Sequence, residues 1–100
     1  MNILNQHISR IRKLCELNNV KILFAFGSVT RDHFGPDSDI DLIVEIDDDD
    51  PVTFTEKYFS LKFQPEDVLK RPIYLLEHKA LRNRFLKKEI DGTKNQVYGK

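Results

Sequence analysis

A chain of 100 residues, 40% hydrophobic and 32% charged, is sized for one domain around a single core, spanning residues 1–100. No apolar run approaches the roughly 18 residues of a membrane span, and no charged-apolar-small leader opens the chain. Cys15 stands alone, which excludes a disulfide framework and a cysteine zinc site and fits a reducing cytoplasm. The net charge of +0 hides an asymmetry: residues 31–50 hold nine Asp/Glu against Arg31, and residues 70–100 hold nine Lys/Arg against Glu77, Glu89 and Asp91. The acidic block suits cations and the basic tail suits phosphates or an acidic partner; two solvated faces of opposite sign are the plain alternative.

Ile3, Leu4, His7, Ile8, Ile11, Leu14 and Cys15 recur at helical spacing and predict one amphipathic helix over residues 2–17, ended by Asn18-Asn19. The continuous apolar run from Val20 to Phe26 predicts a strand buried on both faces. A loop containing Gly35-Pro36-Asp37-Ser38 leads to a second strand, Ile40 to Ile46. Asp50 before Pro51 is a helix start, and the helix is expected over 51–63, burying Phe54, Tyr58, Leu61 and in part Phe59, until Gln64-Pro65 breaks it. Ile73 to Leu76 reads as a third strand. Residues 78–91 read as a basic helix with Leu81, Phe85 and Leu86 inward, stopped by Gly92. The segment from Asn95 to Tyr98 reads as an edge strand or a loose tail. This order predicts an α/β (α+β) domain. The first two strands are joined by only about thirteen residues, short for a helical crossover, so a mixed sheet is expected.

The chemistry concentrates in Phe26-Gly27-Ser28 and, after ten further residues, Asp39-Ile40-Asp41-Leu42. In a strand, residues two apart share a face, so Asp39 and Asp41 point together while Ile40 points to the core. Two like charges side by side repel unless a cation lies between them. Oxygen ligands on a strand end suit Mg2+, which keeps several waters and is completed by substrate phosphates. Gly27 lacks a Cβ, so Gly27-Ser28 can bring backbone N–H groups and a hydroxyl close to phosphate. A plain turn followed by a strand leaving a polar loop is the alternative.

The stretches Phe26-Gly27-Ser28-Val29-Thr30-Arg31 and Ser38-Asp39-Ile40-Asp41-Leu42-Ile43-Val44 resemble the minimal nucleotidyltransferases of the DNA polymerase beta superfamily. The likeness is greatest to the antitoxins paired with HEPN-domain proteins in toxin–antitoxin systems. It implies a polymerase beta palm-like fold, a mixed sheet with helices packed mainly on one side. It also implies two Mg2+ ions, ATP or another nucleoside triphosphate as substrate, and transfer of a nucleoside monophosphate to an acceptor hydroxyl, with a HEPN-domain protein as partner. In such a site Asp39 and Asp41 would be the catalytic metal ligands, and Gly27, Ser28, Arg31 and Ser38 would bind nucleotide. No direct binding of nucleic acid and no membrane attachment are expected. The chain departs from the family at two points: Asp32 stands where a Gly commonly follows the Arg, and the third carboxylate, expected on a later strand, aligns with Tyr74 in Pro72-Ile73-Tyr74-Leu75-Leu76. Glu77, three residues on, should face the other side of that strand.

Two functions from different classes follow. One is a nucleotidyltransferase that adenylylates a HEPN-type partner; the other is a degenerate module of the same fold that neutralises a partner without transfer, a reading that Tyr74 supports. A small-molecule transferase of the antibiotic-modifying kind would need a further helical domain. Arg31 could clamp a phosphate or pair with Asp32 or Asp37. His33 and Asp47 to Asp50 read as solvated loop, Cys15 as packing, and Tyr74 as a strand aromatic filling space. Lys79, Arg82, Arg84, Lys87 and Lys88 suit an interface with an acidic partner.

Overall fold

The computed structural model describes residues 2–27, 39–78, 88, 92 and 95–99. Its elements are α1 (Asn2–Gln6), α2 (Ile8–Leu17), β1 (Val20–Phe26), β2 (Ile40–Ile46), α3 (Pro51–Leu69), β3 (Ile73–Glu77) and β4 (Asn95–Gly99). The strands form one sheet in the order β3-β2-β1-β4. β1 runs antiparallel to β2 and β4, whereas β2 and β3 are parallel. The sheet is therefore mixed, as the short β1–β2 connection requires. Among the described residues no helix is long and apolar enough to cross a membrane.

The expected single first helix is two. His7 leaves helical geometry (φ −120°, ψ 18°), and its N–H donates to the Leu4 carbonyl only three residues back, at 3.2 Å. Histidine has a modest helix propensity, and the break leaves Leu4 (0% exposed) and Ile11 (2%) both buried in the core. Asn18 and Asn19 stop α2 as expected. The Asn18 amide donates to the Leu14 carbonyl at 2.8 Å, satisfying a helix-end acceptor. Asn19 turns left-handed (φ 54°), a conformation asparagine tolerates, and its carbonyl accepts the Asp47 N–H.

The helix expected to end before Pro65 instead runs to Leu69. A proline inside a helix removes a hydrogen bond and costs about 3 kcal/mol. Here α3 is tied to β3 on both sides of Pro65. The Tyr58 hydroxyl donates to the Leu75 carbonyl at 2.6 Å, Lys62 Nζ donates to the Ile73 carbonyl at 2.9 Å, and the Glu66 carboxylate accepts the Ile73 N–H at 2.8 Å. Leu61, Pro65 and Leu69 are buried beneath the same helix. Tertiary contacts of this kind supply most helical stability in proteins, and here they outweigh the proline. They also cover the outer edge of β3, whose unpaired backbone groups would otherwise invite another strand. At its start α3 is capped as expected: Asp50 Oδ1 accepts the N–H of Val52 at 2.8 Å and of Thr53 at 3.3 Å.

The main core lies between one sheet face and the helices: Leu23 and Ala25 of β1, Ile40, Leu42, Val44 and Ile46 of β2, Ile73 and Leu75 of β3, and Val97 of β4 meet Leu4, Ile11, Cys15, Leu61 and Leu69. On the opposite face Phe26 and Ile43 are buried, with Phe24 and Leu76 against them. β1 is thus less evenly covered than its apolar run suggests, since Lys21 is exposed and Ile22 and Phe24 are half-buried. β3 extends one residue beyond the expected end, to Glu77, and the last segment is the edge strand of the two alternatives. The basic helix over 78–91 lies almost wholly outside the described residues. Lys88 and Gly92 both have helical backbone, so Gly92 does not stop the helix there.

Candidate active site

β1 and β2 place the motif halves together. Phe26 pairs with Asp41 across the antiparallel ladder, so the strand end that leads into Gly27 lies beside the strand start that carries the acids. Alternation does the rest. Ile40 (0% exposed) and Leu42 (1%) point into the helix-covered core, which leaves Asp41 on the other face; Asp39, two residues earlier, is exposed.

Gly27 is required twice over. Its φ of +72° is left-handed, and a Cβ built on it would lie 2.5 Å from Asp41 Oδ2. Any side chain would displace the carboxylate or the turn. Sequence reasoning assigned the missing Cβ to phosphate approach; the structure adds that it makes room for Asp41. Ser28, Arg31, Ser38 and His33 lie outside the described residues; of the expected set the structure places Gly27 against Asp41, with Asp39 exposed just before β2.

Two carboxylates leave most of an octahedral shell to water and substrate oxygens, which fits Mg2+ shared with phosphates better than a closed protein cage. Among the described residues no group of three or more His, Cys, Asp or Glu is placed to hold an ion. A metal held by Asp39 and Asp41 would therefore take its remaining ligands from water and substrate oxygens.

The strand beside the acids is β3, and its register is direct: Asp41 pairs with Tyr74 in parallel. Ile73 and Leu75 enter the core, so Tyr74 shares the face of Asp41 and is 55% exposed. Glu77 pairs with Val44 and has the parity of the helix-covered face, opposite to Asp41, as its spacing predicted. Tyr58, Lys62 and Glu66, which hold β3 in place, escaped sequence reasoning because they act on main-chain groups 7 to 17 residues away, and no local pattern marks that.

Other chemically suggestive groups are structural. Burial, with a smaller contribution from Glu16, pushes the Cys15 thiol up to about 12, which leaves no thiolate to act as a nucleophile. The acidic loop is not uniformly solvated. Asp48 receives hydrogen bonds from Lys57 (2.7 Å), Thr53 (2.6 Å) and the Asp50 N–H (2.9 Å), which lower its carboxyl from 3.8 to about 2. Three clefts lie elsewhere: one of about 780 Å3 beside β1 and β4 near Arg12 and Tyr98, one between α2 and α3, and one between α3 and β3. None of the three is lined by Gly27, Asp39 or Asp41.

A mixed four-stranded sheet with a glycine turn set against Asp41 of β2 is the fold of a nucleotidyltransferase. The family model for polymerase beta nucleotidyltransferases matches residues 9–100. The chain is 35% identical over 72 residues to a Methanocaldococcus jannaschii protein provisionally described as a protein adenylyltransferase, covering 72% of this chain and 71% of that one. Among solved structures, one provisionally described as a minimal nucleotidyltransferase superposes with a TM-score of 0.74 at 22% identity, covering 92% of this chain and 90% of the other. A toxin–antitoxin structure with AMP-PNP gives 0.72 at 21% identity, covering 93% and 73%. The tri-AMPylated HEPN toxin of Shewanella oneidensis in complex with its MNT antitoxin gives 0.66 at 19% identity, covering 96% and 72%. The chain belongs to the polymerase beta nucleotidyltransferase family, with the fold of the minimal nucleotidyltransferases paired with HEPN toxins.

Proposed function

We propose that this protein transfers AMP from ATP to a hydroxyl on a HEPN-type partner, as the antitoxin of a cytoplasmic toxin–antitoxin pair. The observation that carries the reading is the apposition of Gly27 and Asp41, which sets a strand-borne carboxylate against the glycine turn. In this reading Asp39 and Asp41 hold Mg2+, and Gly27, with Ser28, Arg31 and Ser38, binds the triphosphate. Two such ions supply charge stabilisation to the attacking and leaving oxygens of an in-line displacement. Asp39 and Asp41 would hold the metal ions at the start of β2, and the Gly27 turn would bind the outer phosphates. The solved relatives support the choice of substrate and acceptor: one toxin–antitoxin structure holds AMP-PNP, and in another the HEPN toxin is AMPylated.

Calorimetric titration of ATP with and without Mg2+ tests the site. Mg2+-dependent binding that is lost in the Asp39→Asn, Asp41→Asn double variant supports it. Unchanged affinity in a folded double variant removes the assignment.

Tyr74 favours a second reading, a partner-binding module with little transfer. A phenol is a poorer metal ligand than a carboxylate and gives an attacking hydroxyl less general-base help. Incorporation of labelled AMP into a HEPN partner separates the two readings.

A further inference from the structure

We infer that Tyr74 is itself an acceptor hydroxyl, so that the protein adenylylates its own β3 strand. The inference rests on the proposed nucleotidyl transfer and names a substrate for that site. A tyrosine that merely filled space on this face would be buried with Phe26 and Ile43 (6% and 1% exposed), yet Tyr74 is 55% exposed. It pairs directly with Asp41, and neighbouring strands lie roughly 4.8 Å apart, so the two side chains rise side by side from one face. The phenol is the longer of the two side chains and, at 55% exposed, reaches past the strand on the face that carries Asp41.

The strand is also held still at this point. Lys62 and Glu66 bind the backbone of Ile73, and Tyr58 binds that of Leu75, fixing the chain on both sides of Tyr74. Losing a general base typically costs 10² to 10⁴ in rate, whereas fixing two reactants in good geometry reaches effective molarities of about 10⁵ to 10⁸ M. A tethered phenol therefore gains more from position than it loses from the lack of a base. In the step, a lone pair of the Tyr74 phenolic oxygen forms a bond to the α-phosphorus of ATP. The bond from that phosphorus to the α–β bridging oxygen breaks, and its electron pair leaves on pyrophosphate. The phenolic proton passes to bulk water, to which Tyr74 is open. The product is an O-adenylylated tyrosine.

Intact mass and peptide mapping, before and after incubation with ATP and Mg2+, test the idea. The expected result is one AMP on Tyr74, absent from Tyr74→Phe and formed at a rate per molecule independent of protein concentration. Tetranitromethane nitration of Tyr74 gives a readout that needs no turnover, and Mg2+-ATP should slow it. A rate that falls on dilution overturns transfer within one molecule, and nitration indifferent to bound Mg2+-ATP overturns the juxtaposition. AMP appearing on a HEPN partner while Tyr74 stays unmodified overturns this inference and leaves the proposed function standing. Absence of Mg2+-dependent ATP binding overturns both.

Discussion

β2 and β3 lie side by side in parallel, and over four positions they carry nearly the same sequence. Ile40-Asp41-Leu42-Ile43 pairs with Ile73-Tyr74-Leu75-Leu76, residue for residue. At the core positions the strands are almost interchangeable: Ile40 and Leu42 are 0% and 1% exposed, Ile73 and Leu75 2% and 4%. The difference falls at Asp41 and Tyr74, on the face opposite the main core. Packing dictates every second residue of such a strand, and the residues between are free to carry chemistry. A shared register puts an acid and a phenol where two acids would make a fuller metal site.

The comparison breaks most visibly at Asp41. Asp39→Asn with Asp41→Asn should abolish Mg2+-dependent ATP binding in calorimetry, and Gly27→Ala should do nearly as much through the displaced Asp41 carboxylate. Changing a residue that only supports a metal's ligands typically costs 10- to 100-fold, and loss of the ligands themselves should exceed that. Making the strands alike, by Tyr74→Asp, should raise labelled AMP transfer to a HEPN partner by about 10² to 10⁴, the usual worth of general-base help. No gain in a folded variant would mean that the phenol does not stand in an acid's position.

Smaller effects sharpen the contrast between core and open positions. Leu75→Ala should cost about 2–5 kcal/mol in denaturant unfolding, whereas Tyr74→Ala next to it should cost under about 1 kcal/mol. Equal losses at the two would contradict the assignment of faces. Tyr58→Phe should cost about 1 kcal/mol, because it removes one hydrogen bond to the edge of β3. The smallest effect concerns pH. The Asp48 carboxyl is lowered from 3.8 to about 2, so its ion pair with Lys57 stabilises the fold fully above 3.8 and is lost as pH falls through about 2. The melting-temperature gap between wild type and Asp48→Asn should therefore close over that acid range.

Much of this was legible in the sequence because it depends on neighbours along the chain. Asp50-Pro51 marks a helix start through its own backbone geometry, and Val20–Phe26 and Ile40–Ile46 announce strands by their runs of apolar side chains. Glu77 could be set aside as a substitute acid from parity alone. Pro65 misled because local cost argued for a break, while Tyr58, Lys62 and Glu66 hold the helix from a strand up to 17 residues away. The split at His7 escaped for the mirror-image reason: the apolar spacing on either side continues as if the helix did.

By itself the sequence determined the α/β class, the mixed sheet and the meeting of a glycine turn with the strand that carries Asp41, since alternation along a strand and the freedom of glycine are properties of the backbone. Only the tertiary structure decided that a Cβ at Gly27 would meet the Asp41 carboxylate, and that Tyr74 stands level with Asp41 on the face opposite the main core. Strand register and close approach are set by packing between distant segments, and no local pattern encodes them.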